Sequence, residues 1–353
     1  PAISAAWRLS QEKFFHASII DDLKVRTSFG LTGNERIPSF GFLGLWGPST
    51  YNGGSGVVSL NVPNPDLKWE TTQETNIGVD VGMWGGRLQT VLNVYYNKTR
   101  DLLLNRPYPF TTGFGGIPDN IGEMENKGIE LSVSSVNLDG PLRWTTTLNL
   151  SRNENKVLFL ADSIPLYRGY SGEGVDATNI IKEGEPLGTF WGLNYLGVNP
   201  ATGDAMYEDL NGDGLITNTD AMVIGNAQPK LIGGITNVLS YKGFDFSFFF
   251  NFSLGNKVLN FSKATLVNMG ADIQNNQSVD ALRRWKKPGD VTDIPKYELN
   301  STLNNLHSNR LLEDASYLRL KNVSLGYNLP NSIINKINFR QIRIYASATN
   351  LWT

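Results

Sequence analysis

The run GFDFSFFFNFSLG, residues 243–255, constrains the fold more than any other stretch of this chain. Written as a strand, it sets Phe244, Phe246, Phe248, Phe250, Phe252 and Leu254 on one face, with Asp245, Ser247, Asn251 and Ser253 on the other. A helix would scatter those rings around its circumference. The same period of two recurs along the chain. Ile77, Val79, Val81 and Met83 oppose Asn76, Gly78, Asp80 and Gly82, and Leu88, Leu92, Val94 and Tyr96 oppose Gln89, Asn93, Tyr95 and Asn97. Leu23, Val25 and Phe29, then Ile129, Leu131 and Val133, then Trp144, Leu148 and Leu150, each sit in an alternating stretch. Val323, Leu325 and Tyr327, followed by Ile342 and Ile344, close the series. The chain is therefore all-β.

The connections discriminate between kinds of sheet. Tight turns are expected at Gly85-Gly86, Leu138-Asp139-Gly140, Lys242-Gly243 and, more loosely, between Leu329 and Asn338. Long polar segments alternate with them: Gly33 to Lys68, Asp101 to Glu125, Asn153 to Leu231 and Asn256 to Glu313. Ten crossings satisfy that alternation, beginning near Ile3 and ending at the last residues. The strand-like GTFWGLNYLGVN, Gly188 to Asn199, would break the parity and is placed inside the third long loop.

A soluble sandwich also alternates, but its loops are similarly short at both ends and its inner face is apolar. An outer-membrane barrel needs strands of about 9 to 11 residues, short periplasmic turns, long extracellular loops and aromatics near the strand ends. Trp144 and Phe244 beside tight turns, with Tyr96 toward the far end, fit the second pattern. So does a face of Asn, Ser, Gly, Asp and Arg, which is costly in a dry core and ordinary against water. The expectation is an antiparallel transmembrane β-barrel segment of about ten strands. Edges cannot stay open in lipid, so the first and last strands require further partners, and the chain reads as a C-terminal piece of a larger barrel.

Composition narrows function mainly by exclusion. Cysteine is absent, which removes thiolate chemistry and disulfides, and the formal net charge of −2 gives no basic surface for nucleic acid. No apolar run long enough for a spanning helix and no signal-peptide pattern is visible. His16 and His307 are the only histidines, both in polar sequence context. Gly53-Gly54-Ser55-Gly56 lacks the second glycine of a nucleophile elbow, so catalysis is not expected.

A succession of blocks then becomes recognisable: PAISAAWRLSQEKFF, DLKVRTSFGLTGN, NPDLKWETTQETNIGVDVGMWGGRL, NIGEMENKGIEL, YEDLNGDGLITNTDAMVIGNAQPK, YLRLKNVSLGYNLP and IRIYASATNLW. Their order over Pro1 to Thr353 resembles the C-terminal barrel half of the SusC/RagA family of TonB-linked outer-membrane proteins. That resemblance implies a barrel of roughly 22 strands closed by an N-terminal plug, in the outer membrane of a Bacteroidetes-like bacterium. It implies import of oligosaccharides or peptides, a SusD-like surface lipoprotein as partner and a TonB motor acting on an N-terminal box. The plug and the TonB box are not among these residues. Two other readings remain beside it, a secreted β-sheet binding module and a passive porin.

Candidate sites follow from residue chemistry. DLNGDGLITNTD fits a calcium loop with Asp209, Asn211 and Asp213 at positions one, three and five, Leu215 giving a carbonyl and Asp220 closing at twelve. Gly214 allows the turn, and Ile216 is expected to anchor the loop in a local core. Three crowded carboxylates repel unless a cation lies among them, so structural calcium is expected, with an Asn/Gly-rich surface turn as the alternative. The motif falls in the 154–231 loop. Trp46, Tyr51, Tyr167, Tyr170, Trp191 and Tyr195, with Phe110 and Phe114, are loop aromatics able to stack on substrate or to pack the loops together. Asp80 and Asp245 read as lining of a wet lumen.

Overall fold

Ten strands form one antiparallel sheet in which every strand lies beside its predecessor in the crossing series. They are β1 (Ala2–Arg8), β2 (Ile20–Asn34), β3 (Glu70–Met83), β4 (Leu88–Arg106) and β5 (Ile117–Asp139). The series continues with β6 (Leu142–Leu160), β7 (Leu231–Tyr241), β8 (Phe244–Leu254), β9 (Tyr317–Asn328) and β10 (Arg343–Trp352). The structure is a computed structural model that describes residues 1–353 except 36, 38, 170–176, 302 and 335–338, with the backbone alone at 110, 331 and 333.

Turn chemistry explains the short connections. Lys242 and Gly243 have φ of 47° and 85°, the pair of positive values that a two-residue hairpin matched to strand twist demands. Trp84, Gly85 and Gly86 also take positive φ, which lets β3 reverse into β4 within four residues, 84–87. The long connections fall at the opposite strand ends, as expected from the alternation.

Two expected boundaries shift. The strands flanking the second long connection run on to Arg106 and begin again at Ile117, pairing Arg106 with Ile117. A register break between Thr99 and Leu102, with Asp101 at φ 57°, absorbs the irregularity that made this stretch read as loop. Likewise β6 continues to Leu160, so the third connection begins later than residue 154.

Register places the apolar residues in continuous cross-strand rows. Val25, Val79 and Leu92 lie opposite one another in β2, β3 and β4, and Leu92 continues to Leu131 in β5. Further along, Leu148, Ile235, Phe250 and Leu320 form a second row. Trp144 sits on this face near the tight-turn end. Its Nε1 donates to Asn237 Oδ1 at 2.8 Å, and Thr146 Oγ1 donates to the same atom at 2.6 Å. The carbonyl oxygen of the buried Asn237 side chain is thereby satisfied.

The described chain divides into two compact units. The sheet belongs to Pro1–Asn155, Pro229–Gly255 and Ser316–Thr353. Its first long connection carries a hairpin, Trp46–Tyr51 against Gly54–Ser59, which the polar composition of that segment did not announce. The second unit joins Lys156–Gln228 to Asn256–Ala315. GTFWGLNYLGVN lies there as two short strands, Thr189–Gly192 and Tyr195–Val198, and does not cross with the ten. Within this unit Leu193, Ala205, Tyr207 and Ala221 form a core. Val267, Met269, Ala281 and Ile294 form another.

Candidate functional site

The polar face of the sheet is wired across strands. Arg26 on β2 donates through Nε to Asp80 Oδ1 at 3.0 Å and through Nη2 to Asn93 Oδ1 at 2.7 Å, so one guanidinium ties β2, β3 and β4. Gly78 makes this possible, since a Cβ there would lie 2.8 Å from both Arg26 Cζ and Asn93 Oδ1. Arg343 on β10 donates through Nε to Asp245 Oδ1 on β8 at 3.1 Å. Asp80 and Asp245 are therefore charge-paired residues of the polar face. Their arginine partners were missed in the sequence because cross-strand register, not spacing, brings them together.

Toward the long-connection ends the same face changes character. Tyr95 Oη donates to Asn153 Oδ1 at 2.8 Å, Ser132 Oγ to Asn149 Oδ1 at 2.8 Å, and Asn251 Nδ2 to Tyr317 Oη at 3.2 Å. Two depressions lie on this part of the face, of about 790 and 600 Å³, and both are lined by Glu130.

In the second unit, DLNGDGLITNTD folds as a chain of side-chain-closed turns. Asp209 accepts from the amides of Gly212 and Gly214 at 2.7 and 2.9 Å. Asn211 Oδ1 accepts from Asp213 N at 2.9 Å, and Asp213 Oδ1 from Leu215 N at 2.8 Å. Gly212 and Gly214, at φ 74° and 79°, supply the reversals. Asp220 is fully buried and accepts from Leu210 N at 3.0 Å and Thr217 N at 2.8 Å, closing a capping box with Thr217. The Thr217 amide, then the other backbone amides, hold its carboxyl below the usual carboxylate range against the opposing effect of burial. Ile216 packs against the Leu193 core, as the motif predicted. Backbone N–H groups thus meet each of these carboxylates. Among the described residues no group of three or more His, Cys, Asp or Glu side chains gathers as a metal-ligand set.

The loop aromatics separate. Tyr167 and Trp191 meet edge to face at 5.9 Å, and Tyr195 meets Tyr207 at 5.6 Å, both within the second unit. Trp191 and Tyr195 pack against the Leu193 core, so both are spent at least in part on packing. Tyr195 Oη donates to the Asp293 carbonyl at 3.0 Å, and burial pushes its hydroxyl up to about 12, opposed by Arg310 over the ring. Trp46 and Tyr51, on the hairpin of the first unit, are 69% and 90% exposed and free to meet a partner. Phe114 is half-buried, and Tyr170 lies outside the described residues. His307 departs from its polar sequence context. It is completely buried, its Nε2 lies 3.0 Å from the Trp191 carbonyl, and Nδ1 has no partner. Burial holds its pKa below the ordinary histidine value, with the Trp191 carbonyl opposing.

The profile of the family described as "TonB dependent receptor-like, beta-barrel" matches residues 1–351. The chain belongs to this family. It is 35% identical to the TonB-dependent receptor P3 of Formosa agariphila, covering 100% of this chain and 37% of that protein. It is 28% identical to the TonB-dependent receptor SusC of Bacteroides thetaiotaomicron, over 99% of this chain and 36% of that one. Among solved structures, the RagAB peptide transporter superposes with a TM-score of 0.87 at 25% identity, covering 99% of this chain and 39% of its counterpart. The chain therefore spans little more than a third of the length of these relatives, and its ten strands are barrel wall of a TonB-dependent receptor of the outer membrane.

Proposed function

We propose that the chain is the C-terminal wall of a TonB-linked importer, with its apolar face toward outer-membrane lipid and its polar face toward a wet lumen. The observation that carries this is the pair of chemically opposite faces on ten sequentially ordered strands, in a chain matched from end to end by transporter relatives. Salt-bridged Arg26 and Arg343 brace the lumen side, where an unpaired charge would be wetted and a paired one still fixes register. The cargo is an oligosaccharide or a peptide; the likeness to a structure described as a peptide transporter supports the second, and the aromatic-rich hairpin suits either. The partners are a SusD-like surface lipoprotein and, through the rest of the protein, the TonB system.

The test is uptake by cells carrying the full-length protein. Import should require TonB and a SusD-like lipoprotein. Ion conductance through the purified protein that is indifferent to TonB would point to a passive porin and sink the proposal.

Calcium is proposed as a structural ion on this same ground plan, held by Asp209, Asn211 and Asp213 with the Leu215 carbonyl, while Asp220 serves the capping box. Titration of the full-length protein with calcium should release heat that an Asp209→Ala/Asp213→Ala variant lacks. Equal heats would remove the ion.

A further inference from the structure

We propose that a charged patch on the apolar side of β4, β5 and β6 is a docking surface for a phosphorylated glycolipid of the outer leaflet. This rests on the importer reading, which turns that side toward lipid, and adds to it which lipid the wall holds. Register carries the apolar rows from Leu92 and Leu131 through Val94 and Ile129 to Tyr96, which pairs with Lys127. Past that level the same alternation changes chemistry at once. Lys98 pairs with Glu125, Arg100 is next on β4, and Glu123 is next on β5. On β6, Leu148 and Leu150 give way to Arg152 and Glu154, and Lys156 keeps the parity. Among the described residues, the matching rows of β2, β3, β7 and β8 carry no ionised side chain, so the patch is confined to one part of the wall.

Height fixes what the patch meets. A strand that rises about 3.3 Å per residue and tilts by about 35–45° crosses an apolar band of roughly 25 Å in about ten residues. Lys98 stands ten residues along β4 from Leu88, and Arg152 ten along β6 from Leu142, both counted from the tight-turn ends. The patch therefore lies at the headgroups of the leaflet below the long connections, where hydrocarbon no longer penalises a basic side chain. In an outer membrane that leaflet is built of acylated sugars bearing phosphates.

The basic groups keep capacity for those phosphates. Lys127 Nζ lies 3.7 Å from Glu125 and 3.9 Å from Glu154, beyond hydrogen-bond reach of either. Arg100 Nε is likewise 3.9 Å from Glu123, which Lys98 engages at 2.6 Å. Arg152 donates to Glu154 through Nη2 at 2.6 Å. The side chains of Arg100, Lys127 and Arg152 are each more than half exposed. With Lys98 and Lys156 they make five basic residues against the three carboxylates of Glu123, Glu125 and Glu154, so the patch stays positive. Basic clusters of this size at a membrane surface select anionic headgroups. Directly below, Val94 and Ile129 are 49% and 44% exposed, a track for the acyl chains of a lipid whose phosphate sits at Lys127. A free phosphate would use only the upper half of this surface.

Native mass spectrometry of the full-length protein, purified in detergent and stripped of lipid, reads the binding. The probes are bisphosphorylated lipid A, its dephosphorylated form and inorganic phosphate, in magnesium-free buffer. The phosphorylated lipid should bind about tenfold more tightly than the dephosphorylated one. Lys127→Gln/Arg152→Gln should erase that preference and leave affinity for the dephosphorylated lipid unchanged. Glu154→Gln, which releases the same two basic groups, should widen the preference about threefold. Inorganic phosphate at the lipid's concentration should displace nothing. Equal affinities of the wild type for the two lipids, a preference that survives the double substitution, a narrowing in Glu154→Gln, or displacement by inorganic phosphate would each overturn the docking surface while the importer reading stands. A full-length protein that stays dispersed without detergent and takes up neither lipid refutes both.

Discussion

Arginine scanning along β8 tests the assignment of faces most directly. Phe248 lies near the middle of the strand on the apolar row, opposite Asn237 and Val323, with the Phe246 and Phe250 rings at 5.6 and 6.0 Å. Ser247 is its immediate neighbour and faces the other way, opposite Val238 and Ser324. An arginine on the lipid side of a barrel near the bilayer midplane costs about 2–4 kcal/mol, and two forfeited aromatic contacts bring Phe248→Arg to about 3–7 kcal/mol. Ser247→Arg, extending into water, should cost less than about 1 kcal/mol. The two adjacent substitutions then differ by at least about 2 kcal/mol, or about thirtyfold in the folding equilibrium. Phe244→Arg, beside the Lys242-Gly243 turn, should fall near the lower value because the penalty fades toward the interface. The assay is equilibrium folding of the full-length protein into phospholipid vesicles, followed by tryptophan fluorescence against denaturant. Equal costs at 247 and 248, or a larger cost at 247, would refute the proposal that the phenylalanine row faces lipid.

Three further outcomes follow from specific contacts. Gly78→Ala should cost about 1–3 kcal/mol by pushing its methyl into Arg26 and Asn93, and adding Arg26→Ala should return much of that loss in a double-mutant cycle. Asp220→Ala should lower the unfolding midpoint of the unit formed by Lys156–Gln228 and Asn256–Ala315 more than Asp220→Asn, which keeps an oxygen acceptor for one of the Leu210 and Thr217 amides. His307 carries a folded pKa below its unfolded value, so its stability contribution is present above about pH 6.5 and lost as pH falls below that. Hydrogen exchange at the Leu193 amide, bonded to the His307 carbonyl at 3.1 Å, should accelerate between neutral pH and pH 5 beyond the intrinsic pH effect, and His307→Leu should abolish the excess.

What the sequence disclosed and what it withheld divide along one physical line. Period-two alternation is a local property, so the ten crossings, their tight turns and the non-crossing status of GTFWGLNYLGVN were all legible in it. Contacts that depend on register or on joining distant segments were not. Arg26 meets Asp80 only because β2 and β3 pair Arg26 with Gly78 and Lys24 with Asp80, an offset that no spacing rule encodes. His307 stands in polar sequence context, among Asn304, Asn305, Ser308 and Asn309. In the fold Leu193 N bonds to the His307 carbonyl and Asn309 N to Leu193 O, so two connections more than a hundred residues apart bury it together. The DLNGDGLITNTD loop shows the converse case. Its ligand-like residues are all where a calcium loop requires them, yet the same Asp and Asn side chains close turns onto backbone amides, and sequence cannot tell those two uses apart.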